Sequence, residues 1–193
     1  MVYYNGKETT NIFVWRYTSM RNPYLECGKI INTHGFRGTV KLESWCDAPE
    51  VLASLKRVYF LNNGEYSSRK VLRASVFKQF VLADLEGIDS EEKANTLRNT
   101  VLYAAREELP LEEGDFFIVD LLGLPVRHAD TNEELGVLKN VVQRGGADLY
   151  YVDTPFGEAI LPAVPEFVIS IDPDDAIYVR PIPGLLDGKG ENV

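Results

Sequence analysis

From Tyr24 onward the chain alternates apolar and polar residues in short runs, with the two-residue period of β-strands. The first runs are Leu25–Ile31, Thr39–Ser44, Arg57–Leu61, Lys70–Phe77, Phe80–Leu85 and Thr100–Ala104. Within Thr39-Val40-Lys41-Leu42-Glu43 this period sets Val40 and Leu42 on one face and Lys41 and Glu43 on the other. Asn62-Asn63-Gly64 and Glu86-Gly87 separate runs with residues suited to turns. Two helical patterns interrupt the strands. Asp47, Pro49 and Glu50 read as an N-cap, an early proline and a capping acid ahead of Val51, Leu52 and Leu55. Asp89 and Glu92 repeat that signature before Ala94 and Leu97.

A charged stretch without alternation, Ala105–Gly114, contains Pro110 and reads as a linker. Beyond it lies a second set of runs: Pro125–His128, Gly136–Gln143, Leu149–Thr154, Glu158–Leu161, Phe167–Ile171 and Ile177–Arg180. Prolines 155, 162, 165, 173, 181 and 183 fall at or near run boundaries, where a missing N–H does not break a ladder. The pattern predicts an all-β protein of barrels or sandwiches with short flanking helices. The expected boundaries are an N-terminal extension over 1–22, a first β-barrel over 23–104, a linker over 105–114, a second β-barrel over 115–187 and a tail over 188–193.

Composition narrows the class. Apolar residues make up 45% and charged residues 25%, which suits a folded globular chain. No apolar run approaches the roughly 20 residues of a membrane helix, so a cytoplasmic protein without membrane contact is expected. Cys27 and Cys46 are too few for a disulfide scaffold and form no CxxC pair, so they read as reduced thiols and not as metal ligands.

The net charge of −9 argues against a general nucleic-acid binder, but it conceals a split. Residues 1–105 carry 14 Lys+Arg against 11 Asp+Glu, a net of +3. Residues 106–193 carry 6 against 18, a net of −12. Two surfaces of opposite sign suggest two different partners, although acidic surface alone also serves solubility.

No nucleotide-binding glycine loop, HExxH or GxSxG motif is present, and His34 and His128 are the only histidines. A non-enzymatic protein with no cofactor and no metal is therefore expected. The rivals are a small barrel enzyme or flavin-binding reductase, which bound yellow cofactor would reveal, and a module docked on a membrane complex.

Two stretches could carry binding. In Gly28–Lys41 two strands flank a loop holding His34, Gly35, Arg37 and Gly38, with Lys29 and Lys41 on the strands. Its glycines permit close backbone approach and Arg37 adds a cation near the tip, yet turn chemistry alone also accounts for these residues. In Asp115–Val126, Phe116 and Phe117 would point to opposite faces of a strand, leaving one ring exposed beside Asp115 and Asp120 as a protein-binding hot spot. A bent backbone that buries both rings is the open alternative.

These stretches, in this order, resemble the ribosome maturation factor RimM family. The resemblance rests on GKIINTHGFRGTVKL from Gly28, Asp47-Ala48-Pro49-Glu50, Leu85-Glu86-Gly87-Ile88, Asp120-Leu121-Leu122-Gly123, Leu135-Gly136-Val137, Leu161-Pro162-Ala163-Val164-Pro165 and Gly184-Leu185-Leu186. It runs from about Tyr24 to Leu186, and residues 1–23 find no counterpart. It implies a six-stranded N-terminal barrel like those of translation factors, then a PRC-type barrel. It further implies a monomeric, non-enzymatic assembly factor that binds the small ribosomal subunit and promotes rRNA processing and head maturation. The partner would be the basic head protein numbered nineteen, with rRNA against the first barrel. The family's aromatic pair, usually two tyrosines, matches Phe116-Phe117, which keep the apolar area and lose two hydroxyls. The expected protein-binding residues are thus Asp115, Phe116, Phe117, Asp120 and Leu121. The expected ribosome-facing residues are Lys29, His34, Gly35, Arg37, Gly38 and Lys41.

Overall fold

The computed structural model describes residues 21–112, 114–143 and 147–186. The expected tail lies outside these residues, as does the expected N-terminal extension apart from Arg21 and Asn22. Contacts divide the chain into two compact units, with the break between Leu111 and Glu112.

The first unit contains β1 (Tyr24–His34), β2 (Thr39–Ser44), α1 (Pro49–Ser54), β3 (Arg57–Asn62), β4 (Glu65–Phe77), β5 (Phe80–Leu85), α2 (Glu91–Thr96) and β6 (Val101–Ala105). Its six strands close a barrel in the order β1-β2-β5-β4-β3-β6, with antiparallel pairing throughout. Alternation builds the core as expected: Val40 and Leu42 of β2, and Val81, Ala83 and Leu85 of β5, are all buried. In β1 the register with β6 slips between Glu26 and Gly28, and both Cys27 and Gly28 are buried. That bulge shifts the inward parity from Leu25 and Cys27 to Gly28 and Ile30, which leaves Lys29 on the outer side.

Several boundaries differ from the sequence pattern, and three of them have a clear local cause. Strand β4 starts at Glu65, not Lys70, because Asn63 and Gly64 both take positive φ and form a tight hairpin with β3. Its first residues, Glu-Tyr-Ser-Ser-Arg, are held by ladder hydrogen bonds and by Tyr66, whose ring stacks on Tyr24 at 4.2 Å. Helix α1 is capped by the extended backbone of Ala48 instead of Asp47, since the residue before proline is driven out of the helical region. Helix α2 is capped by Ser90, whose Oγ accepts from the Lys93 backbone N–H at 3.3 Å, and Asp89 instead pairs with Lys93 Nζ at 2.8 Å. The stretch expected as a linker begins with Ala105, the last residue of β6. It continues through one 3-10 turn at Arg106–Glu108 to the buried Leu109.

The second unit contains α3 (Ile118–Leu121), β7 (Pro125–His128), β8 (Glu134–Val142), β9 (Leu149–Thr154), β10 (Gly157–Pro162), β11 (Val168–Ile171) and β12 (Ile177–Val179). The strands form one sheet in the order β10-β9-β8-β7-β12-β11, in which only β12 and β7 run parallel. All six contribute to a single core, with Val126, Leu138, Tyr150, Leu161, Val168 and Ile177 buried together. A sheet whose first and last strands share one core must curve around it. Its hydrogen-bonded ladder ends at β10 and β11.

Candidate functional site

In the first unit the β1–β2 turn is shaped by Gly38. Its φ of +86° is costly for other residues, and a Cβ there would sit 2.5 Å from the Ile88 carbonyl oxygen and 2.8 Å from the Ser90 nitrogen. Gly38 therefore lets the turn lie against the chain leaving β5. Next to it, Thr39 Oγ1 donates to Asp84 Oδ1 at 2.6 Å and fixes the turn to β5. Gly35 shares the positive φ, at +73°, but has open space around it.

The turn projects an aromatic and cationic surface. Phe36 is 74% exposed, with the Arg37 guanidinium 5.6 Å from its ring centre. The His34 ring lies 6.3 Å from the ring of Phe77, which brings the β1–β2 turn beside the β4–β5 turn. Phe77 is 47% exposed, with Lys78 Nζ 5.8 Å from its centre. Lys41 Nζ stands 3.7 Å over the Phe80 ring. Among the described residues, Arg37, Lys41 and Lys78 take part in no ion pair. Of the residues expected here, His34, Gly35, Arg37 and Gly38 gather at the turn, and Lys41 lies beside it on β2. Lys29 lies further along β1, opposite Glu43. The sequence pattern did not single out Phe36, Phe77, Lys78 or Phe80. The tetrapeptide Phe77-Lys78-Gln79-Phe80 reads locally as two strand ends, and only tertiary pairing sets it near Arg37.

In the second unit the expected strand at Phe116-Phe117 is absent. Phe117 is the N-cap of α3, and the bend sends it inward, where it is 3% exposed. Phe116 is half-buried against the core of this unit, to which the fully buried Leu121 belongs. Phe117 and Leu121, both expected among the protein-binding residues, are thus buried, and neither is the exposed ring or side chain of the segment. Asp115 is not an exposed acid either. Its Oδ1 is buried without a hydrogen-bond partner, and desolvation, then the nearby Glu112, raises its pKa. Val119 and Leu122 are exposed on this segment, and Asp120 is half-buried.

Charge in this unit is arranged unevenly. Arg180 forms a two-pronged pair with Asp130 at 2.9 and 2.6 Å, and its hydrogen bonds hold the Asp130 carboxyl below its ordinary pKa. Arg127 pairs with Asp175 at 2.9 Å, and Lys139 with Glu158 at 3.9 Å. Every described cation of the unit is therefore matched by an acid of the same unit, and the remaining acids give the surface its negative field. Among the described residues no cluster of three His, Cys, Asp or Glu side chains could hold a metal ion, and no helix is long and apolar enough to cross a membrane.

A closed six-stranded barrel followed by a curved mixed sheet defines a two-domain all-β protein. The sequence profile of the RimM N-terminal domain matches residues 25–109, and that of the RimM PRC barrel domain matches residues 118–185. The chain belongs to the RimM family. Similar proteins include "Ribosome maturation factor RimM" of Ruminiclostridium cellulolyticum, 37% identical, with the match covering 85% of this chain and 98% of that protein. The proteins of that name from Lactobacillus johnsonii and Clostridioides difficile are each 35% identical, covering 85% of this chain and 97% and 96% of theirs.

Proposed function

We propose that the protein is a non-enzymatic factor in maturation of the small ribosomal subunit, acting in the cytoplasm as a monomer. Its second unit docks on the basic head protein numbered nineteen, its first barrel faces rRNA, and together they promote head maturation and rRNA processing. The observation that carries this reading is the separation of charge between two folded units. The half from residue 106 onward nets −12, and Arg127, Lys139 and Arg180 within it are each paired with an acid, which suits a basic partner, because opposite fields speed encounter and disfavour acidic competitors. The first barrel presents unpaired cations at its turn end, suited to phosphate. The relatives' shared name, ribosome maturation factor, supports the same reading.

The contact on the second unit centres on Phe116 with Val119 and Leu122, bordered by Asp120, and the buried Leu121 anchors the segment in the core. By binding the mature arrangement of the head more tightly than the immature one, the protein shifts the population toward it. Sedimentation of lysate through a sucrose gradient tests the proposal. The protein should travel with free small subunits and be absent from translating ribosomes. Recovery only at the top of the gradient, or on translating ribosomes, would refute it.

A further inference from the structure

The turn end of the first barrel carries more than positive charge. Phosphate attraction needs only cations, yet here two phenyl rings at neighbouring turns, Phe36 mostly and Phe77 about half exposed, each have a cation beside the ring. An exposed Phe36 does nothing for the core, and most of its surface is accessible to a partner. The neighbouring acids are engaged: Asp84 accepts from Thr39, and Glu43 accepts from the Trp45 indole N–H at 3.4 Å. The end therefore pairs aromatic faces with unopposed Arg37, Lys41 and Lys78.

We propose that Phe36 and Phe77 stack on unpaired bases of a single-stranded RNA segment, while Arg37, Lys41 and Lys78 hold its phosphates. This rests on the reading that the first barrel faces rRNA, and it narrows the RNA to unpaired stretches. A nucleotide offers a π face and a phosphate together, matching ring and cation together. In a duplex the base faces are already stacked, so protruding rings would gain nothing from them and only the cations would bind.

Fluorescence anisotropy of the full chain with an unstructured RNA oligonucleotide, and with the same strand in a duplex, tests this. The single strand should bind at least several-fold more tightly. Phe36→Ala with Phe77→Ala should weaken it roughly tenfold or more, in line with base–aromatic stacking. Phe36→Trp should preserve binding, because its ring still stacks. Arg37→Ala should lower the salt dependence, which the ring substitutions leave unchanged. Equal affinity for duplex and single strand, or unchanged binding after both rings are lost, overturns the proposal. The source of a failure is separable. Wild-type chain that sediments with small subunits but ignores single-stranded RNA sinks this inference alone, and chain that does neither sinks the proposed function as well. Loss of head-protein binding in the ring variants, with RNA binding intact, would reassign the patch to a protein.

Discussion

Gly38 and Gly35 share a backbone conformation and differ in surroundings, which separates two costs. At Gly35 a methyl group meets nothing, so Gly35→Ala should cost only the left-handed backbone penalty, about 1 kcal/mol. At Gly38 the same methyl overlaps the Ile88 carbonyl, so Gly38→Ala should cost about 3 kcal/mol. Urea unfolding of the two variants measures the difference, and equal midpoints would contradict it. Asp115 gives a pH signature. Its folded pKa is raised, so between the ordinary carboxylate value and the raised one the native chain holds a proton the unfolded chain has lost. The residue's contribution to stability therefore falls as pH rises through that window. Asp115→Asn should flatten the slope in urea titrations run from acid to neutral pH, and it should modestly raise stability at neutral pH. From sequence, alternation sets Phe116 and Phe117 on opposite faces without saying which ring is exposed, and a bend that buries both stays open. The turn into α3, with Phe117 buried at its N-cap, is marked by no local pattern.

At the level of elements, the apolar alternation of β2 and β5 was legible because one face of each meets the core. The first five residues of β4 were not, since pairing with β3 and the lone Tyr66 stacked on Tyr24 hold a stretch that no hydrophobic period marks. The parallel pairing of β12 with β7 was also hidden, because it joins residues far apart in the chain. Helix α2 shows how a one-residue error arises: Asp89 and Ser90 are both good caps, and the backbone geometry selects Ser90. Ser90→Ala should cost about 1 kcal/mol, as loss of an N-cap usually does. Asp89→Ala should change little, because its partner Lys93 is exposed and the pair is screened. Thermal or urea unfolding of both variants checks the contrast.

Across the whole molecule, the charge split was readable by counting, and the structure adds which charges are already spent within a unit. Binding of the full chain to the purified head protein should weaken about tenfold from low to moderate ionic strength, and indifference to salt would remove the electrostatic component. The turn-end cluster was half legible, since the glycine loop is continuous in sequence whereas Phe77 and Lys78 arrive from another hairpin. The position of β12 between β7 and β11 carries a further consequence, for the order of events during synthesis. The first barrel is complete once β6 has emerged, so it can close while the rest of the nascent chain is still being made. The second sheet must wait for Ile177–Val179. Until then β11 has no neighbour and one side of β7 is bare. A chain released after Ala176 would carry a finished first barrel and two newly bared strand edges, on β7 and β11, an invitation to intermolecular pairing.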